Sequence, residues 1–286
     1  MRTADTAAFV SDKAVLLILK QVSEAIILPR YKRLSDADIS TKTDANDFVT
    51  VADREAEVDI FSKLLSILPG SRCIGEESVA EGRCDITTTD SNYTWIVDPI
   101  DGTRNFVAGE EHFCCMVSLI GKGSPLRSWI YRPLIGDAVV AGKDKGVSHY
   151  LPTGEVVACK PRWRQNELPL LQGTLNAMGF DLSIREQVRN KLRGLKGRFH
   201  LGSAGVDALY IALGQSDYLM HSKLTPWDSV PVELTCRELG YHVRLAPDET
   251  PFHWRAKGVL LAASTKKQWQ EIADFIWSGN NINRDI

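Results

Sequence analysis

The chain has 286 residues, 44% of them apolar, and its 34 basic and 36 acidic residues leave a net charge of −2. That length supports a sizeable core, read as one domain with two closely packed halves, about 1–150 and about 151–286. The near-neutral balance gives no nucleic-acid footprint and no polybasic membrane anchor. The six cysteines form no C-x-x-C pair, which excludes a zinc or disulfide framework.

From the N-terminus, residues about 6–33 read as a long helix, with Phe9, Ala14, Leu17, Ile18, Val22, Ala25 and Ile26 at helical spacing. Its apolar run Val15–Leu19 lies between Lys13 and Lys20. It is far shorter than the ~20 residues of a membrane span, and no small-residue cleavage site follows it. The expected location is therefore cytoplasmic, with no membrane partner. A polar segment, Leu34–Asp47, comes next. Thr50-Val51-Ala52-Asp53 then has the form of a capping box, and Ala56, Ile60, Leu64 and Leu68 carry a helix onto a core until Pro69-Gly70.

Strands follow over 71–75, 94–98, 112–121, 126–132 and 137–141, with turns at Gly121, Gly123, Pro133 and Gly136, and read as an antiparallel meander. Residues 151–170 read as a hinge. Beyond it strands and helices alternate to the end, with helices about 182–193, 204–213, 229–239 and 265–277, as in an α/β half. The basic clusters Lys160–Arg164 and Lys191–Arg198 read as solvated faces.

The run Trp95-Ile96-Val97-Asp98-Pro99-Ile100-Asp101-Gly102-Thr103-Arg104-Asn105-Phe106 carries the chemistry. An apolar strand delivers two carboxylates, then a glycine that permits close backbone approach, then a hydroxyl. Oxygen donors of this kind suit Mg²⁺ or Ca²⁺ rather than zinc or copper. Alone, the run is also a plain Asp-rich turn. Other carboxylates stand at element ends too: Glu76 and Glu77 in Gly75-Glu76-Glu77-Ser78, Asp228 in Thr225-Pro226-Trp227-Asp228, and Asp53. Each has an ordinary alternative. The glutamates can be surface charges, Asp53 and Asp228 can be helix caps, and Thr103 can cap the element that follows it. Their co-occurrence is the argument, since two-metal phosphoryl chemistry needs about four such acids.

Rival chemistries fit less well. Asp36-Ala37-Asp38-Ile39-Ser40 resembles a D-x-D nucleophile motif but follows no apolar strand. Leu201 stands where a G-x-S-x-G elbow around Ser203 needs glycine. No P-loop lysine motif is present.

Asp98–Thr103, with Trp95 and Asn105-Phe106, resembles the central motif of the inositol monophosphatase family of Mg²⁺-dependent, Li⁺-sensitive phosphatases. Gly75–Ser78 and Pro226–Asp228 resemble its companion motifs, and Asp47–Asp53 its D-x-V-T-x-x-D stretch. The resemblance implies an α+β fold, a layered α-β-α-β-α sandwich, commonly a homodimer. It also implies two or three Mg²⁺ ions. Glu76, Asp98 and the carbonyl of Ile100 would hold one; Asp98, Asp101 and Asp228 would hold another; a third, weaker ion would sit near Glu76. Glu77 would shape the surrounding shell. Thr103 with Asp53 would orient and deprotonate the attacking water. The N–H groups of Gly102 and Thr103 would receive phosphate oxygens.

Leu201–Asp207 resembles the family's substrate-side loop, so Ser203, Ala204 and Asp207 would bind substrate, with Asp207 the ligand of a hydroxyl or ammonium. Two positions depart from the inositol type. His221 stands seven residues before Asp228, where a glutamate commonly binds substrate hydroxyls, and Arg104 stands where threonine is common. Asp-Gly-Thr-Arg is closer to some bacterial histidinol-phosphate phosphatases. The expected activity is a phosphomonoesterase for a small phosphorylated alcohol, with inositol-1-phosphate first and histidinol phosphate as the alternative. A regulatory role bound to the transcription machinery, known among bacterial relatives, is the alternative of another class.

Overall fold

A computed structural model of the protein describes residues 10–41, 48–87, 91–161, 167–192, 197–199 and 201–278. The expected start of the first helix at 6–9, the motif residue Asp47, part of the 151–170 segment and the end of the helix expected over about 182–193 lie outside these residues.

The first half opens with α1 (Asp12–Val22) and a short hairpin of β1 (Ile39–Thr41) and β2 (Phe48–Thr50). Then come α2 (Val51–Ile67), β3 (Arg72–Gly75), α3 (Glu76–Ala80), β4 (Tyr93–Asp101) and α4 (Thr103–Ala108). Strands β5 (Cys114–Gly121), β6 (Ser124–Arg132), β7 (Asp137–Gly142), β8 (Gly146–Tyr150) and β9 (Val156–Ala158) complete a seven-stranded sheet in the order β3 to β9. All its pairs are antiparallel except β3 with β4.

The second half contributes β10 (Gln172–Asn176), α5 (Leu182–Leu192), β11 (Gly197–Phe199), α6 (Ala204–Ala212), β12 (Tyr218–His221), α7 (Pro226–Glu238), β13 (His242–Ala246), β14 (Val259–Ala263) and α8 (Lys266–Trp277). Its five strands form a mixed sheet ordered β11-β10-β12-β14-β13.

The side-chain alternation of β5 explains the layering. Cys115, Val117 and Leu119 face one way, into a core shared with Val15 and Leu19 of α1 and Ala56, Ile60 and Leu64 of α2. Cys114 and Met116 face the other way, into a core shared with Val206 and Leu209 of α6 and Val232 of α7. A strand buried on both faces reads as one unbroken apolar run, as Cys114–Gly121 does. Leu219, Val243 and Leu260 of the smaller sheet close that same core from the far side. Trp269 and Ile272 of α8, with Val188 of α5, cover that sheet's outer face. The result is the α-β-α-β-α sandwich, with α6 and α7 as the middle layer.

Several local details differ from the sequence reading. The first helix is α-helical only to Val22; a π-turn (Ser23–Ile27) and a 3-10 turn (Leu28–Arg30) finish it, since Pro29 offers no N–H for a continuing helix. The hinge segment contains β9, whose three residues are all exposed and so carry no alternation to read. The hairpin β1–β2, and strands β8 and β13, also stand outside the expected set. Asp36–Asp38 is a single 3-10 turn closed by Ser35, with no strand before it. Helix α7 begins at Pro226, slightly before the expected start at about 229. Thr225 occupies the cap position, Pro226 suits the first helical position, and Pro231 lies within the helix. No described helix is long and apolar enough to cross a membrane.

Candidate active site

Three residues apart, Asp98 and Asp101 would face opposite sides of a regular strand. The pairing of β4 with β5 prevents that. Asp98 pairs with Met116 and Asp101 with Cys114, so one extra residue bulges from β4 between the two acids. Pro99 sits within the bulge, where a residue without an N–H is tolerated. The extra residue restores the parity of the two side chains. Asp98 is fixed further by the N–H of Ile100, which donates to its Oδ1 at 3.0 Å.

Directly after the bulge, Gly102 adopts φ 90° and caps the six-residue helix α4. A Cβ there would lie 2.8 Å from the carbonyl oxygen of His112 and 3.1 Å from Cβ of Ser203, so glycine is required for both space and φ. The first N–H groups of α4, that of Thr103 among them, have no intrahelical acceptor. Asn105 pins the helix by donating to the carbonyls of His112 (2.5 Å) and Leu201 (2.7 Å).

Asp101 accepts a hydrogen bond from Ser203 Oγ at 2.5 Å and from the N–H groups of Gly205 (2.7 Å) and Ala204 (3.2 Å). Ser203 and Ala204 thus line the cavity and also bind Asp101. Gly205 is held to hydrogen by Cys114, whose Sγ would lie 2.4 Å from a Cβ there. Asp228, in the first turn of α7, comes from the other half of the chain. One carboxylate oxygen each from Asp98, Asp101 and Asp228 lies within 4.8 Å of the others.

The electrostatics follow from burial. Desolvation raises the pKa of Asp101, against the lowering effect of Ser203, Gly205 and Ala204. Desolvation, joined by the charges of Asp101 and Glu76, pushes Asp228 well above the ordinary carboxylate range. Carboxylates this close are unfavourable alone and favourable around a divalent cation. The donors are all hard oxygens, and the set fits Mg²⁺.

Thr103 and Asp53 also meet. Asp53 closes the expected capping box of α2: its Oδ2 accepts from the Thr50 N–H (2.8 Å) and hydroxyl (2.5 Å). Its Oδ1 lies 3.2 Å from the Thr103 hydroxyl, which also lies 2.9 Å from the carbonyl oxygen of Ile100. Capping and contact with the site are therefore roles of one carboxylate.

Glu57 is one residue that sequence reasoning missed. Fully buried, it accepts the N–H groups of Glu77 (2.8 Å) and Ser78 (2.9 Å) and the Ser78 hydroxyl, and so caps α3 from below. Burial raises its pKa despite those bonds. Gly75 is required because a Cβ would overlap the Glu57 carboxylate at 2.2 Å. The arrangement leaves Glu76 lining the cavity and Glu77 buried behind it. A signal did exist. Glu57 lies one turn after Asp53 on the face that carries Ala56 and Ile60, a carboxylate on an apolar stripe.

The cavity above the acids measures about 240 Å³. Asp207 lines it, 2% exposed, with Oδ2 at 2.8 Å from His221 Nε2 and Oδ1 buried without a hydrogen-bond partner. His221, 3% exposed, does not line the cavity; it stands behind Asp207 and holds it. Arg104, Asn176, Met178 and Lys223 form the rim with Phe48. Of these, only Arg104 stands out in the sequence.

The inositol monophosphatase family profile matches residues 12–278. The chain belongs to the inositol monophosphatase family. It is accordingly a phosphatase acting on phosphate monoesters. It is 33% identical over 206 residues to an inositol-1-monophosphatase of Caulobacter vibrioides, spanning 70% of this chain and 76% of that protein. It is 30% identical over 209 residues to the Nus factor SuhB of Vibrio cholerae, spanning 70% and 73%. Among solved structures, an IMPase/NADP phosphatase complexed with Mg²⁺ and phosphate shares the fold. Its TM-score is 0.77 at 22% identity, covering 94% of this chain and 95% of that one.

Proposed function

We propose that this inositol monophosphatase family member hydrolyses the phosphate monoester of a small hydroxyl-bearing alcohol with Mg²⁺, inositol-1-phosphate being the representative substrate. The observation that carries the reading is the convergence of Asp98, Asp101 and Asp228, from two halves of the chain, within 4.8 Å beneath an open cavity. Glu76, Asp98, Asp101, Asp228 and the Ile100 carbonyl would hold two or three ions. When bound, those ions supply charge neutralisation and an activated water for in-line attack on phosphorus. The Mg²⁺ and phosphate of the similarly folded IMPase/NADP phosphatase fit this reading.

The chain's own groups do the rest. Thr103 would pass its proton to Asp53, 3.2 Å away, as its oxygen takes one from the attacking water. Asp53 is fixed by Thr50 and so keeps its orientation as it takes up that proton. The N–H groups of Gly102 and Thr103 receive phosphate oxygens. Asp207, oriented by His221, lines the cavity as the acceptor for a substrate hydroxyl. Glu77 stiffens the helix that presents Glu76. Histidinol phosphate, the alternative, could give its ammonium to Asp207, but Arg104 and Lys223 would oppose its positive charge.

The test is phosphate release from inositol-1-phosphate and histidinol phosphate with Mg²⁺, with and without Li⁺, for the wild type and Asp101→Asn. Mg²⁺-dependent, Li⁺-sensitive release by the wild type, lost in the variant, is the expected result. Release by the variant at near wild-type rate would refute the metal-site assignment. A second reading is favoured by the name of the Vibrio cholerae relative, a Nus factor. It predicts that the purified chain binds transcription machinery equally well as wild type and as Asp101→Asn. The expected homodimer and cytoplasmic location belong to either reading.

A further inference from the structure

The short helix that presents Glu76 lies between two cysteines. Cys73 belongs to β3, just ahead of Glu76, and Cys84 follows α3 after a tight turn. In that turn the N–H groups of Arg83 and Cys84 both donate to the Ser78 carbonyl, at 2.8 and 3.0 Å. Strand β3 is an edge of the seven-stranded sheet. The Cys84 thiol reaches that free edge and donates to the Cys73 carbonyl at 3.5 Å. Cys114, Cys115 and Cys236 are buried, whereas Cys73, Cys84 and Cys159 are partly exposed. Of these last three, the two that flank α3 lie together.

The two thiols differ in setting. Cys73 packs against the core on the α2 side of β3, close enough to Glu57 to feel its charge. Burial above all, then the neighbouring Cys84 and Glu57, pushes the Cys73 thiol up to about 12. Cys84 packs with Ile74 and Ile96 on the opposite side. The thiolate is the reactive form of cysteine, so a thiol kept protonated by burial reacts second. An S–S bond brings the sulfurs to about 2 Å, which requires Cys73 to turn from α2 toward the free edge. The strand has no slack for that movement. A Cβ on Gly75 would lie 2.2 Å from the Glu57 carboxylate and 2.9 Å from the Phe61 ring. Glu57 in turn holds the N–H groups of Glu77 and Ser78. A shift of β3 therefore reaches Glu76 through a single contact.

We propose that Cys73 and Cys84 form a modification site, oxidised by a peroxide to a disulfide that loosens the metal ligand Glu76. This rests on the reading of Glu76 as a ligand and adds a control to it. In the first step the Cys84 sulfur attacks one peroxide oxygen. An S–O bond forms, the O–O bond breaks, and the departing oxygen leaves as water with the thiol proton. In the second step the Cys73 sulfur attacks the Cys84 sulfur. The S–S bond forms, the S–O bond breaks, and a second water carries away the Cys73 proton. The two thiols lose two electrons, and the peroxide takes them up. A dithiol reductant reverses the change by thiol–disulfide exchange.

The test treats the full chain with hydrogen peroxide and then with dithiothreitol. Peptide mapping by mass spectrometry after thiol blocking should find Cys73 joined to Cys84 in the oxidised protein. Calorimetric titration should show Mg²⁺ affinity about tenfold or more weaker in that state and restored by dithiothreitol, the effect of disturbing a group that orients a metal ligand. Cys73→Ser and Cys84→Ser should each bind Mg²⁺ like the reduced wild type, before and after peroxide. Absence of the Cys73–Cys84 linkage in the wild type overturns the proposal while leaving the phosphatase reading intact. So does a linkage that leaves Mg²⁺ affinity unchanged. Peroxide sensitivity that persists in both serine variants overturns it too, because the effect would then belong to another thiol. A reduced wild type that binds no Mg²⁺ sinks the metal reading and this proposal with it.

Discussion

The floor and the rim of the cavity are built on opposite principles. On the floor, short carboxylates are fixed by backbone. Asp98 is tied to the Ile100 N–H, Asp101 to two N–H groups and Ser203, and the helix that presents Glu76 is capped by buried Glu57. At the rim, Arg104 and Lys223 reach the cavity on long, exposed side chains. A buried acid with fixed partners places charge to a fraction of an ångström, which bond-making at phosphorus demands. An exposed cation on a flexible stem gives attraction without tight geometry. The difference teaches that this fold holds its chemistry in the core and leaves substrate choice to residues that can change without unfolding it.

The hardest test of that division is Asp101→Asn. An asparagine keeps one oxygen for Ser203 and Gly205 and turns its NH₂ toward the weaker Ala204 donor. It also removes a buried charge that opposes Asp228. Thermal unfolding without metal should therefore be nearly unchanged, while Mg²⁺-dependent phosphate release falls by about a thousandfold or more. An activity loss accompanied by unfolding would mean that floor geometry and fold stability are not separable.

The floor was also the part most readable from the sequence. Asp98, Asp101 and Asp228 stand beside Pro and Gly at element ends, where short spacing and turn chemistry announce a presented side chain. The capping box Thr50–Asp53, the helix after it and the buried strand β5 were readable from periodicity. The one-residue bulge that brings Asp98 and Asp101 to one side was not, because register is a property of two strands. Nor was Glu57, whose partners lie 20 and 21 residues away. Met178 and Lys223 reach the rim only because β10 and β12 pair in parallel, Asn176 opposite His221. Strand β9 escaped notice because exposed valines at a sheet edge carry no alternating pattern.

Glu57 sharpens the comparison from beneath the floor. Glu57→Ala leaves the N–H groups of Glu77 and Ser78 buried without an acceptor, each costing about 1–3 kcal/mol. The same change frees the helix that carries Glu76, so apparent Mg²⁺ affinity should fall about 10- to 100-fold, the usual effect of losing a group that orients a metal ligand. Calorimetric Mg²⁺ titration of the folded variant checks this. Unchanged affinity would show that Glu76 needs no support from below.

Gly179→Ala probes the rim in the same way. The added methyl must displace the Ser222 carbonyl, which moves the loop carrying Lys223 and spares every floor residue. The expected result is a KM rise of about three- to tenfold with kcat nearly kept, the pattern of lost binding shared by ground and transition states. A drop in kcat with KM unchanged would mean that the rim takes part in the chemical step.

The smallest expected effect concerns protons and metal on the floor. Asp101 and Asp228 both have folded-state pKa values above the ordinary carboxylate range, with burial as the leading cause. A carboxyl of raised folded pKa holds its proton more tightly in the folded state than in the unfolded one. Without metal, its contribution to stability is complete below the unfolded pKa and is lost as pH rises through the folded value. Mg²⁺ takes the place of those protons, so its stabilising effect must grow over the same interval. Thermal unfolding in EDTA and in saturating Mg²⁺ should therefore diverge by several degrees more at about pH 8 than at about pH 5.5. A Tm gain from Mg²⁺ that is constant across that range would mean that the ion binds without displacing protons from Asp101 and Asp228. The two acids would then already be ionised in the metal-free fold, held so by Ser203, Ala204 and Gly205 on one side and by Lys223 on the other.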